Sequence, residues 1–175
     1  LLAVDSDGDN TLKDLLLFSY GEQQLNDIRF VTVLERLRQM GLLVKEDIRE
    51  HNLLIQIRRQ KFFFPENRFR FLVEWDPAAL YHSDRAGWLP LHCGSFFLAS
   101  TDMKGFHVVF DTVIKYFPHK KGINLLFHIN NNDTSATTPF QMICERFEHN
   151  KVMNVIEETL IRYLDTPINT VEALV

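Results

Sequence analysis

Four oxygen-bearing side chains near the start of the chain, Asp5, Asp7, Asp9 and Thr11, stand at positions 1, 3, 5 and 7 of an EF-hand-like calcium loop. The sixth position is Asn10 where the loop needs Gly, and the twelfth is Leu16 where it needs a bidentate Glu. Without that last pair of oxygens, Asp5–Thr11 reads as a solvated turn; a calcium-regulated adaptor is kept as an alternative. His92 and Cys93 pair a base with a nucleophile in sequence, but adjacent helical residues point about 100° apart and do not face each other. The histidines at 51, 82, 92, 107, 119, 128 and 149 are scattered, with no H-E-x-x-H and no C-x-x-C, so no zinc motif is present and no metal is expected. No glycine-rich phosphate loop exists, so neither a nucleotide nor another cofactor is expected.

The remaining candidates belong to surfaces. Arg58, Arg59, Lys61, Arg68 and Arg70 form a basic cluster with Glu66, Glu74 and Asp76 close by. It reads as a solvated charged face, or else as a dock for an acidic partner segment. Arg85 and the pair Lys120-Lys121 beside His119 are further candidates of that kind. Trp88 lies between Gly87 and Pro90, off any helical stripe. It is either an interface anchor at a turn tip or a side chain packed on Ile123–Phe127.

The elements that must carry these residues are helices. The chain has 175 residues, 46% apolar and 24% charged, long enough to bury a sizeable core. Fifteen Phe against seven Gly favours helices over tight hairpins. The charge of 19 − 23 = −4 implies no attraction to nucleic acid or to membranes. Two cysteines make no disulfide framework and suggest a reducing, intracellular and cytoplasmic setting. There is no signal-peptide pattern and no apolar run of about 18–20 residues.

Apolar spacing predicts a helix over 26–40, with Phe30, Val33, Leu34, Leu37 and Met40 on one buried stripe and Gly41 as its stop. One helix is expected over 45–60. Another runs over 66–75, with Phe69, Leu72 and Val73 inward, and ends at Asp76-Pro77. Phe106, Val109, Phe110, Val113, Ile114 and Phe117 give the cleanest stripe. Leu72, Leu91, Phe110, Val113, Phe140 and Ile156 are expected in the core. Periodicity leaves 123–129 open between a short helix and a strand.

Two stretches share one design. Asp84–Gly94, D-R-A-G-W-L-P-L-H-C-G, reads as a tight turn into a helix. Asp84 and Gly87 suit the turn, and Pro90 suits the first helical position. Asp133–Ile143, D-T-S-A-T-T-P-F-Q-M-I, repeats it 49 residues later (133 − 84, 139 − 90). Asp133 then corresponds to Asp84, Pro139 to Pro90, Phe140 to Leu91 and Gln141 to His92. Thr138 supplies a helix cap that Leu89 lacks, and Gly94 should weaken its helix by roughly 0.5–1 kcal/mol relative to Ala.

The order D-x-x-G-x-x-P-L-H resembles the ankyrin repeat, a turn followed by T-P-L-H-x-A. Asp84, Gly87, Pro90, Leu91, His92, Thr138, Pro139 and Phe140 carry the resemblance. Together with F-F-P-E-N-R-F-R-F-L-V-E-W-D-P-A-A-L and Y-F-P-H-K-K-G-I-N-L-L-F, they make the chain similar to a divergent, lineage-expanded group of ankyrin-type proteins of single-celled algae. That resemblance implies a mainly α fold, an ankyrin-like helical solenoid of stacked antiparallel helix pairs. Residues 1–25 would form a degenerate N-terminal turn and short helix, 26–165 the repeat domain, and 166–175, with Thr166-Pro167-Ile168-Asn169, the start of a further repeat. It also implies that His92 bonds neighbouring backbone, and that the protein is a monomeric protein-interaction scaffold or adaptor without catalysis of its own. Its partner surfaces would be turn tips and the concave helix face. An enzyme whose site assembles only in three dimensions is the alternative from another class.

Overall fold

A computed structural model describes residues 23–57, 63–95, 103–131 and 136–164. Asp5–Thr11, Arg58, Arg59, Lys61, Asp133 and Thr166–Asn169 lie outside the described residues. Within them, every regular element is helical. Helix α1 (Gln23–Gln39) ends as expected at Gly41, whose φ is 67°. The Gly41 N–H donates to the Arg38 carbonyl (3.0 Å) and the Leu42 N–H to that of Leu37 (2.9 Å), the paired bonds of a glycine C-cap.

The single helix expected over 45–60 is instead two, α2 (Lys45–Glu50) and α3 (Leu53–Gln56). Asn52 breaks it with a left-handed backbone (φ 51°), a conformation that Asn tolerates better than most residues. Helix α4 (Glu66–Trp75) is followed by a 3-10 turn over Pro77–Tyr81. Then come α5 (Pro90–Gly94), α6 (Lys104–Tyr116) and α7 (Lys120–Ile123), which runs into a second 3-10 turn over Asn124–Phe127. The open question over 123–129 is therefore answered by helical turns up to Phe127. Helices α8 (Pro139–Arg146) and α9 (His149–Leu164) complete the set.

Helix α6 is the centre of the core: Gly105, Phe106 and every residue from Val108 to Ile114 are buried. Against it lies α5, at very short range. A Cβ on Gly94 would stand 3.0 Å from the Gly105 carbonyl oxygen and 3.1 Å from Val109 Cγ2. Gly94 thus gives up helix propensity but permits this contact. Helix α6 also packs on α9, where Asp111 accepts from Arg162 (2.5 Å) and from the Tyr163 hydroxyl (3.1 Å). Helix α5 lies beside α8: Ser95 Oγ donates to the Pro139 carbonyl (3.4 Å) and Arg146 to that of Ser95 (3.0 Å). These contacts join residues 44 to 52 apart (139 − 95, 163 − 111), close to the 49-residue internal shift.

Leu72, Leu91, Phe110, Val113 and Ile156 are buried as expected, and Phe140 is half-buried. The α1 stripe needs correcting. Leu34 is buried, whereas Val33 and Met40 are exposed at 41% and 57%. Helix α1 meets α4 through a narrow face centred on Asp27 and Leu34, too narrow to cover five apolar positions. Arg68 also needs correcting. It is 0% exposed, so it is no surface docking residue. Its guanidinium meets Asp27 at 2.6 Å and lies over the Phe30 ring at 4.7 Å, while Asp27 also accepts from the Asn67 N–H at 2.8 Å.

Candidate interaction surface

The turn that introduces α5 is closed by one side chain. Asp84 Oδ1 accepts from the N–H groups of Ala86 (3.0 Å) and Trp88 (2.9 Å), and the Asp84 N–H donates to the Trp88 carbonyl (3.0 Å). Gly87 has a φ of 77°. It also lies against the next turn, where a Cβ on it would come within 2.8 Å of the Asn131 nitrogen. Both facts require glycine.

In the turn before α8, the residue that takes Asp84's part is Asn130. It accepts from the Thr137 N–H (3.2 Å), donates its own N–H to the Thr137 carbonyl (3.2 Å) and is buried. The sequence alignment paired Asp133 with Asp84. The residue doing that work sits three positions earlier, because the shift is 46 on one side of the turn (130 − 84) and 49 on the other (137 − 88). The run N-N-N-D offers four residues of suitable turn chemistry, so type alone does not choose among them.

Two bonds tie the turns together. The Asn131 N–H donates to the Ala86 carbonyl (2.9 Å). His92, fully buried, accepts from the Leu89 N–H at Nδ1 (3.0 Å) and reaches the Thr137 carbonyl with Nε2 (3.3 Å). Nδ1 has a donor facing it, so the ring proton is on Nε2. Burial depresses the imidazole pKa to about 4, and the Thr137 bond opposes this only in part. His92 is therefore neutral, with both nitrogens engaged. Cys93 beside it is buried, and burial pushes the Cys144 thiol upward. Helix α8 carries the reciprocal cap expected of Thr138: its Oγ1 accepts from the Gln141 N–H (3.1 Å), and Gln141 Oε1 accepts from the Thr138 N–H (2.9 Å).

Over this frame lie aromatic side chains in two groups. Trp88 packs edge-on against His92 (centroids 5.5 Å apart) and is half-buried, and His92 lies 6.1 Å from His128. Next to His128, Phe127 contacts Phe140 (5.8 Å), which contacts His149 (6.0 Å). Phe127 and Ile129 are each 57% exposed. Arg85, Lys120 and Lys121 are also exposed, with the Lys121 ammonium over the rings of Phe117 (4.7 Å) and Tyr81 (5.0 Å). Sequence reasoning named Arg85 and Trp88, gave Phe127 only as the end of a segment on which Trp88 could pack, and missed Ile129 and Asn130. With 123–129 undecided between helix and strand, no face could be assigned to them.

Compared with family models, curated proteins and solved structures, the chain has no match. Among the described residues, no helix is long and apolar enough to cross a membrane.

Proposed function

We propose that this chain is a protein-interaction module, an ankyrin-like stack of helix pairs that docks a partner protein on the turn end of α5, α7 and α8 and carries no catalysis of its own. The observation that carries this reading is the exposure of Phe127 and Ile129 beside a frame of turns held together by hydrogen bonds. A loop whose flanking residues Asn130 and Asn131 are fixed by hydrogen bonds holds two large apolar side chains in water. Half-buried Trp88 and Phe140 extend the same apolar chemistry, and exposed Arg85, Lys120 and Lys121 supply a polar rim. The side-by-side placement of α5 with α8 and of α6 with α9 at the repeat spacing supports the stacked-pair reading.

The experiment is quantitative affinity capture from the native source, with the wild type compared to Phe127→Asp/Ile129→Asp and to a control, Met153→Asp, whose exposed side chain lies on α9. A specific partner should be lost with the double variant and kept with the control, while the circular dichroism of both remains native. Equal capture by all three proteins would remove this surface from consideration.

A further inference from the structure

We propose that the end of α2 holds a divalent transition-metal ion on Asp47, Glu50 and His51. The three stand at i, i+3 and i+4, so one helical turn brings them onto a common face. One donor atom from each lies within 4.8 Å of the other two. A shared ion about 2.0–2.2 Å from each donor requires separations up to roughly 4.4 Å, within reach of small side-chain rotations.

Two observations separate this cluster from an ordinary acidic patch. Asp47 is 5% exposed, and its carboxylate is oriented by the Val44 N–H, which donates to Oδ2 at 2.7 Å. Among the described residues, no hydrogen bond engages its other oxygen, Oδ1. That bond caps the first turn of α2 and at the same time fixes the orientation of the carboxylate. In addition, the cations of the same helix are drawn elsewhere. Arg49 Nε lies 2.8 Å and Lys45 Nζ 3.8 Å from the carboxylate of buried Asp76. Among the described residues, neither cation of α2 forms an ion pair with Asp47 or Glu50. Asn52, in its left-handed conformation, stops the helix directly after His51.

The imidazole sets the class of ion. One nitrogen with two carboxylates suits zinc, cobalt or manganese, whereas calcium and magnesium prefer oxygen donors throughout. Three protein donors leave a fourth position for water or for a partner's side chain. The site involves neither α5 nor α8, so its test and that of the docking surface succeed or fail separately.

The experiment titrates the full chain with zinc against a chromophoric chelator and records the cobalt absorption spectrum. Glu50→Gln and His51→Gln are made in parallel, both leaving the Asp47–Val44 bond in place, with circular dichroism reporting their fold. One equivalent should bind saturably and raise the thermal midpoint of the wild type. Each variant should bind more weakly by at least the roughly 10–100-fold seen when an outer-shell partner is lost. Because the variants report independently, a folding defect in one leaves the other to decide. Absence of saturable binding, or undiminished binding in the folded variants, would overturn the proposal, the ion then resting on the chain's other imidazoles. A midpoint rise with calcium or magnesium equal to that with zinc would overturn it as well.

Discussion

His92 makes the stability of this protein depend on pH in a calculable way. Its pKa is about 4 in the folded chain, against 6.5 for a free imidazole. The unfolded chain therefore takes up a proton near pH 6.5, whereas the folded chain resists it until near pH 4. Stability from this group is complete above pH 6.5 and falls as pH decreases through that window. Each pH unit is worth 1.36 kcal/mol, so the loss reaches about 3 kcal/mol by pH 4. The internal repeat suggests the control. Gln141, at the position 49 residues on, bonds the preceding backbone N–H with its side-chain oxygen, as His92 does with Nδ1. His92→Gln should keep that bond and lose the one to Thr137, costing about 1 kcal/mol at pH 7. It has no proton to gain, so its stability should fall less steeply. Urea unfolding from pH 7.5 to 4, read from tryptophan fluorescence and circular dichroism, should give curves that cross near pH 6, with the variant the more stable at pH 4.5. Parallel curves would refute the reasoning, because they would mean that His92 protonates in the fold as easily as in the unfolded chain.

Other expectations concern stability in urea at neutral pH. Phe110→Ala, at the fully buried centre of α6, should cost roughly 3–5 kcal/mol; less than 1 would remove Phe110 from the core. Arg68→Met should cost about 3–5 kcal/mol by leaving Asp27 buried without its cation, and adding Asp27→Leu should recover much of the loss. A double variant as unstable as the sum of its parts would contradict this. Gly87→Ala should cost on the order of 1–3 kcal/mol, from its positive φ and the contact with Asn131. Gly94→Ala should bring no gain despite the better helix former, since the added carbon meets the Gly105 carbonyl; stabilisation by about 1 kcal/mol would show that α5 is free to shift.

Features set by local physics were legible in the sequence. The turn at Asp84–Gly87 and the stop at Gly41 follow from which residues tolerate positive φ. The α6 stripe follows from helical spacing, and the Thr138 cap from a hydroxyl three residues before Gln141. Features set by distant partners were not. Nothing near Arg68 in the chain says that it is buried, because Asp27 lies 41 residues away. The stripe of α1 promised more burial than one neighbouring helix face delivers at Val33 and Met40. Asn130 was hidden among equivalent neighbours. The Asp47–Glu50–His51 group went unseen because residues 45–60 read as one helix with charges of both signs interleaved. That Lys45 and Arg49 both turn to Asp76 is a fact of packing.

The joint between the two turns is made largely of main-chain atoms: the Ala86 carbonyl, the Asn131 amide and the Thr137 carbonyl reached by His92. Every residue but proline offers the same amide, and every residue the same carbonyl, so the joint does not constrain the exposed side chains at Arg85, Phe127 and Ile129. Recognition and architecture are thereby uncoupled. The outward residues can be exchanged to address a different target while the scaffold beneath keeps its geometry, and a library randomised at these positions should retain folded members throughout.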